Sequence, residues 1–210
     1  MGGVTVVNHP LVQHHLTRLR DVATPPNEFR TLVHRIAGLL AYEATADLTT
    51  SEVDVETPLV KTVGLRVTQR VGLVPILRAG LGMADAVLTL IPDAEVWHLG
   101  LYRDETTATP VRYYSRIPDV DPVDVALVLD PMLATGGSII EALEILYAWG
   151  TPIVKVVAIL AAQPGVAEVR RRFPQTPIYA CAVDPELNER KFIVPGLGDA
   201  GDRTFNTLRS

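Results

Sequence analysis

Residues 123–141 read VDVALVLDPMLATGGSIIE. Apart from Asp124, the run Val123–Leu129 is apolar and rich in valine, the composition of a strand buried on both faces. An acid, Asp130, ends it. The loop that follows carries Thr135 and the pair Gly136-Gly137, and from Ser138 a helix-period pattern runs to Gly150. Ser138 and Glu141 have the S-x-x-E spacing of a capping box, which predicts the helix start at Ser138. Two glycines let successive N–H groups turn toward one point, and the positive end of the helix dipole favours an anion there. The hydroxyls of Thr135 and Ser138 add donors. Together these features predict a phosphate cradle, with Asp130 one loop away, at the reach of sugar hydroxyls.

The same alternation recurs on either side. Val71–Ile76 precedes LRAGLG and an amphipathic run to Leu90; Ile153–Leu160 precedes Pro164–Phe173; Ile178–Val183 follows. Strands alternating with helices predict an α/β fold, a mostly parallel sheet flanked by helices, with ligands beyond the carboxyl ends of the strands. The first 50 residues predict an N-terminal helical segment. Leu11, His15, Leu19 and Val22 share one face of it, and after Pro25-Pro26 a second run extends from Phe29 through Leu40. Two stretches break the rhythm. Residues 51–68 alternate loosely in Thr and Val and predict a hairpin. Residues 102–119 (YRDETTATPVRYYSRIPD) are polar, aromatic and punctuated by proline, and predict an arm that closes over the site. With no repeat, low-complexity tract or linker, residues 1–210 are expected to form a single domain. Arg78 follows a buried strand with Gly80 and Gly82 beside it, where a lone guanidinium is costly unless it meets an anion.

These motifs resemble a known family. Asp130–Ser138 is similar to the phosphoribosyl diphosphate (PRPP) binding motif of the type I phosphoribosyltransferases, most of which carry two adjacent acids at its start. Here Asp130 is followed by Pro131, a form that resembles the uracil phosphoribosyltransferases. His9-Pro10-Leu11-Val12 and Thr17-Arg18-Leu19-Arg20-Asp21 resemble that family's N-terminal helix, Val74–Gly82 its diphosphate loop, and Tyr102–Glu105 the start of its arm. Pro195–Arg203 (PGLGDAGDR) resembles its C-terminal signature. The similar segments run from residue 9 to about 207, nearly the whole chain.

The resemblance implies the type I phosphoribosyltransferase fold with a β-arm and hood. It implies an enzyme, a pentosyltransferase that joins the phosphoribosyl group of PRPP to N1 of uracil and yields UMP and diphosphate in pyrimidine salvage. It assigns PRPP to Arg78, Arg103, Asp130, Pro131, Met132, Leu133, Ala134, Thr135, Gly136, Gly137, Ser138 and Asp199. Uracil falls to the backbone around Ile193, Gly198, Asp199 and Ala200, and catalysis to Asp130 and Arg103. It also implies Mg²⁺ brought mainly by PRPP, a homo-oligomer, and GTP as a candidate allosteric activator, although no P-loop signature marks a GTP site. Two positions depart from the family pattern: Arg190-Lys191-Phe192 where a Gly-Tyr-like pair is expected before Ile193, and Asn206 where glycine is usual after Phe205. Asp184–Asn188 (DPELN), with Glu189, resembles the family's D-x-x-L-N-E stretch and reads equally well as a solvated connection.

Composition narrows the alternatives. Hydrophobic residues make up 48% of the 210 and charged residues 20%, which excludes a disordered chain. Nineteen basic against 24 acidic residues give a net charge of −5, the wrong sign for a protein whose main partner is a nucleic acid. The basic residues are mostly arginine, with only Lys61, Lys155 and Lys191 as lysines; a GC-rich coding bias explains that better than phosphate recognition does. Cys181 stands alone, so neither an intrachain disulfide nor a thiolate cluster is expected. His9, His14, His15, His34 and His98 lack metal-ligand spacing, and no protein cage for a metal is expected. The longest apolar run, Val156–Ala162, falls short of the roughly 18 residues of a membrane span, and the N-terminus lacks the pattern of a signal peptide. A cytoplasmic protein without membrane or nucleic-acid partners is expected. Gly196–Gly201 also satisfies G-x-G-x-x-G, but too few residues follow it for the helix, strand and acid of a dinucleotide fold. Two other readings stay open: a pyrimidine-responsive RNA-binding regulator on the same fold, which needs a basic surface, and a sister transferase for another base, which would lack the PGLGDAGDR segment.

Overall fold

The structure, a computed structural model, describes residues 3–103, 110–115, 117–118 and 120–207. A short strand, β1 (Val4–Val6), leads into α1 (Pro10–Arg20) and α2 (Pro26–Ala44). Proline opens both helices, where its missing N–H has no intrahelical partner to lose. His9 caps α1, its Nδ1 accepting the Leu11 N–H at 3.1 Å. The buried face of α1 is Val12, Leu16 and Leu19, rotated from the expected stripe. Leu11 is 53% exposed, and Val22, beyond the helix end, is 95% exposed. The i, i+4, i+7 spacing of the three aliphatics sets the face.

β2 (Thr50–Glu56) and β3 (Lys61–Val67) form the expected hairpin, paired antiparallel and exposed along nearly its whole length. It is a separate two-stranded sheet. The alternation then begins, with β4 (Val71–Leu77), α3 (Leu81–Leu90), β5 (Glu95–Val96), β6 (Leu99–Arg103) and β7 (Pro110–Ser115). It continues through β8 (Val125–Leu129), β9 (Met132–Leu133), α4 (Gly137–Trp149), β10 (Ile153–Ala162), α5 (Gln163–Arg172) and β11 (Ile178–Asp184). A small hairpin of β12 (Glu186–Leu187) and β13 (Ile193–Val194) and a last helix, α6 (Ala200–Phe205), complete the described chain.

The main sheet runs β1-β11-β10-β8-β4-β6-β7, with β5 added to β4 and β9 to β10. Its pairings are parallel except β6 with β7, which is antiparallel with an irregularity at Gly100/Leu101. Those two strands are the ends of the expected arm; residues 104–109, 116 and 119 of it lie outside the described residues. β1 has no counterpart in the sequence pattern. It exists through its register with Ile178–Ala180.

Successive side chains of the central strands enter opposite cores. Leu127 and Leu129 of β8 pack with α1, α2 and α3, whereas Ala126 and Val128 pack with α4 and α5. Coverage on both faces is why β4 and β8 read as unbroken apolar runs and β10 as one interrupted only by Lys155. The N-terminal helices are therefore one layer of the fold. Lys155 of β10 ties α2 to the sheet: its buried ammonium donates to the Ala44 carbonyl at 2.8 Å and pairs with Asp47. The placement of α1 has a direct test by thermal unfolding. Leu16→Ala should cost about 2–4 kcal/mol, and Leu11→Ala less than about 1 kcal/mol; equal losses would contradict the buried face.

Candidate active site

The cradle is built by backbone resting on backbone. After β8 the chain crosses to β10, where β9 pairs with Leu160 and Ala161 and the Pro131 carbonyl accepts the Leu160 N–H at 2.9 Å. A Cβ on Gly165, in the first turn of α5, would stand 2.2 Å from the Ala134 oxygen, so only glycine permits this approach. Gly136 then takes φ +88 and becomes the N-cap of α4. The N-cap thus lies two residues before Ser138, the N-cap of the capping-box prediction, and Ser138 falls in the first turn of the helix, which no side chain caps. The left-handed glycine overrides the Ser138–Glu141 signal because the loop is seated on α5. Asp130 and residues 132–139 line a small concavity there.

The concavity opens into a larger cleft of about 1020 Å³. Both share Met132, Ala134 and Ser138. The opposite wall of the cleft carries Ile193 and residues 198–201. The structure thus brings together Asp130, Met132, Leu133, Ala134, Thr135, Gly136, Gly137, Ser138, Ile193, Gly198, Asp199 and Ala200. Pro131 is buried, turned toward β10. Arg78 stands beside α6, half-exposed, with its guanidinium 3.2 Å from Asp202 Oδ1 and over the Phe205 ring. Arg103 ends β6, and its side chain lies outside the described residues.

Of two neighbouring acids, Asp130 lines the concavity and Asp199 the cleft. Burial, with the charge of Asp199 added, pushes the Asp130 carboxyl up to about 7, although Oδ1 accepts the Met132 N–H at 3.1 Å. Asp199 caps α6 by accepting the Asp202 N–H at 2.8 Å. Among the described residues no group of three or more His, Cys, Asp or Glu is placed to hold a metal ion.

The wall opposite the cradle is held by α1. Arg20 donates to both oxygens of Asp184, at 2.8 and 2.7 Å, and to the Gly196 carbonyl at 2.7 Å. Asp184 in turn accepts the Gly196 N–H at 2.9 Å. Burial alone raises the Asp184 carboxyl, but the bonds from Arg20 and Gly196 outweigh it and hold it below its usual range. Asp184 is thus a buried anchor rather than a solvated connector. Arg203, last residue of PGLGDAGDR, is also buried. It donates to the carbonyls of Leu197 at 2.8 Å, Asp21 at 2.6 Å and Leu19, and lies 4.4 Å from the Phe29 ring centre. These arginines were visible in the sequence only as members of the similar segments around residues 17–21 and 195–203; nothing local announced their partners.

Both departures from the family pattern fall at left-handed backbone: Lys191, at the β12–β13 tip, has φ +64, and Asn206, at the end of α6, has φ +56. Glycine takes that conformation freely, and asparagine tolerates it better than lysine.

Comparison with known proteins points one way. The family model for uracil phosphoribosyltransferase matches residues 6–207. A uracil phosphoribosyltransferase of Roseiflexus sp. (strain RS-1) is 53% identical over 207 residues, spanning 99% of this chain and 100% of that one. That of Bacillus licheniformis is 51% identical over 209 residues, with 99% and 100% covered. Among solved structures, the AQ2163 protein of Aquifex aeolicus is similar with a TM-score of 0.93 and 33% identity, covering 99% of this chain and 100% of that one. The adenine phosphoribosyltransferase of Leishmania donovani shares the fold, with a TM-score of 0.57 at 14% identity over 86% of this chain and 83% of its own.

Two variants test the site's local energetics. A carboxyl raised in the folded state contributes stability below its unfolded value, near 4, and loses it as pH rises through about 7. Asp130→Asn should therefore stabilise the unliganded protein at pH 8 and hardly change it at pH 4; equal effects at the two pH values would contradict the raised carboxyl. Lys191→Gly should gain about 0.5–1 kcal/mol by relieving left-handed strain, read as a rise of about 1–4 °C in melting temperature. A fall would show that the lysine side chain makes up for its backbone.

Proposed function

This chain belongs to the uracil phosphoribosyltransferase family, and we propose from that premise how its residues share the work of the transfer. Uracil N1 bonds to C1′ of PRPP while the C1′–oxygen bond to diphosphate breaks and the N1 proton leaves, giving UMP. One observation carries the assignment: the concavity at the start of α4 and the wall formed by Ile193 and residues 198–201 open into the same cleft. The 5′-phosphate sits over Ala134–Ser138, where the first turn of α4 offers N–H groups and the positive end of its dipole.

Asp130 accepts from the ribose hydroxyls. Its carboxylate lies near the C1′ position, where positive charge develops as diphosphate departs. Hydrogen bonds from those hydroxyls favour the ionised form of Asp130 and oppose the burial that raises it. Arg78 exchanges its contact with Asp202 for the diphosphate, and Arg103, at the base of the arm, joins it. The opposition of Asp130 and Asp199 suits a cation delivered on phosphate oxygens, since Mg²⁺ takes one or two carboxylates and keeps much of its shell as water and phosphate. When bound, Mg²⁺ neutralises charge on the diphosphate.

Uracil presents an acceptor, a donor and an acceptor at O2, N3–H and O4. Main-chain groups around Ile193 and Gly198–Ala200 read that edge, with the bases kept from water by the arm. A second copy of the chain completes the proposal. The β2–β3 hairpin leaves Val63, Leu65 and Val67 exposed along one face, with Leu59 and Val60 exposed at its tip, an apolar surface that a partner copy would cover. The family resemblance adds GTP as activator and the cytoplasm as location, and no helix of the described residues is long and apolar enough to cross a membrane.

The test is a base panel. With PRPP and Mg²⁺, uracil should give UMP, while cytosine, which reverses two of the three partners, should be turned over about 10⁴-fold less efficiently. Comparable turnover of cytosine and uracil would overturn the backbone reading.

A further inference from the structure

We propose that Arg20 and Asp184 are positioning residues for base selection, acting through Gly196 on the loop that reads uracil. The inference rests on the reading of residues 193–200 as the base-recognising wall.

A backbone reader has no rotamers to adjust. Its donors and acceptors lie where the loop lies, and displacements of even half an ångström to one ångström degrade the constellation. This loop is also held by Arg203, which donates to the Leu197 carbonyl, and by the buried side chains of Ile193, Leu197 and Ala200. Its ladder contact is the two-residue pairing of β13 with β12, and after Val194 the chain leaves the sheet. Gly196 is the next fixed point. Both of its main-chain polar groups are engaged, the N–H by Asp184 and the carbonyl by Arg20, and the same two side chains are joined to each other by two further hydrogen bonds. At φ +63, Gly196 folds back so closely that a Cβ would stand 2.1 Å from the Ile193 oxygen. Holding Gly196 therefore fixes Ile193 on one side and, together with the Arg203 bond to Leu197, sets where the chain enters Gly198–Ala200 on the other.

The pair suits this task. Arg20 is 25% exposed and Asp184 7%, so solvent screens it little. Neither side chain lines the cleft, so neither touches the base. The guanidinium is a planar fork that serves two carboxylate oxygens and a carbonyl at once, a geometry that lysine does not reproduce.

Arg20→Lys and Asp184→Asn separate positioning from plain structural support. In both variants the KM for uracil should rise about tenfold or more, and the preference for uracil over cytosine should fall by a similar factor. The kcat, and the PRPP dissociation constant measured by calorimetry without base, should stay within about twofold. Hydrogen exchange of the unsubstituted protein with and without UMP tests the underlying reading separately, and protection of residues 193–200 is expected. If UMP fails to protect them, the base-reading assignment fails and takes this proposal with it. If protection is present and the folded variants keep the uracil KM, or weaken PRPP equally, the assignment stands and the positioning role is overturned. Loss of folding in Arg20→Lys would assign the pair to general stability and overturn the role as well.

Discussion

The contact of the Ala134 carbonyl with the backbone of Gly165 is the constraint on which the site depends. It has no side chain between its surfaces, so the cradle has a seat of fixed height on α5. The sheet makes this possible. β8 and β10 are parallel neighbours, so their carboxyl ends share one edge, and the segments that follow them emerge side by side. The connection after β8 becomes the cradle, and β10 passes directly into α5. Burial of both strand faces by helices sets the edge, the edge sets the meeting of the two segments, and the meeting aims the start of α4 into the cleft.

Two acids at that edge show how surroundings divide similar groups. Asp130 follows β8 and Asp184 ends β11, and both are substantially withdrawn from water. Asp184 meets a guanidinium and a main-chain N–H and is held as a carboxylate. Asp130 meets one N–H and a like charge, and its proton is retained to about pH 7. The first is complete within the protein. The second is left for a ligand to complete, which is the usual mark of a group that acts on something other than its own chain.

What the sequence disclosed follows the range of each interaction. β4, β8, β10 and β11 were legible because strands buried on both faces leave nearly unbroken apolar runs, and the cradle was legible because its acid, hydroxyls and glycines are neighbours in the chain. The face of α1 was misplaced because Leu11 and Val22 are apolar yet exposed, so hydrophobicity alone pointed to the wrong stripe. The start of α4 carried two competing N-cap signals, Gly136 and Ser138, two residues apart, and the choice between them depended on Gly165, far along the chain. β1 is three residues whose only definition is a partner strand. Arg20 and Arg203 look like surface charges in a helical pattern and a loop; their partners lie across a sequence distance that no local pattern records.

That distance has a consequence for synthesis. Arg20 meets Asp184 across 164 residues and Gly196 across 176, while Arg203 reaches Leu19 across 184. A chain emerging from the ribosome has α1 early, and it can pair β4 with β8, seat the first turn of α4 and lay down β10 while the partners of Arg20 are still untranslated. Closing so long a loop adds little entropy beyond closing one half its length; the delay comes from the order of translation. An interrupted nascent chain thus has the residues of its cradle and still lacks both partners of Arg20. The anchoring of Gly196 is among the last contacts this protein completes as it is made.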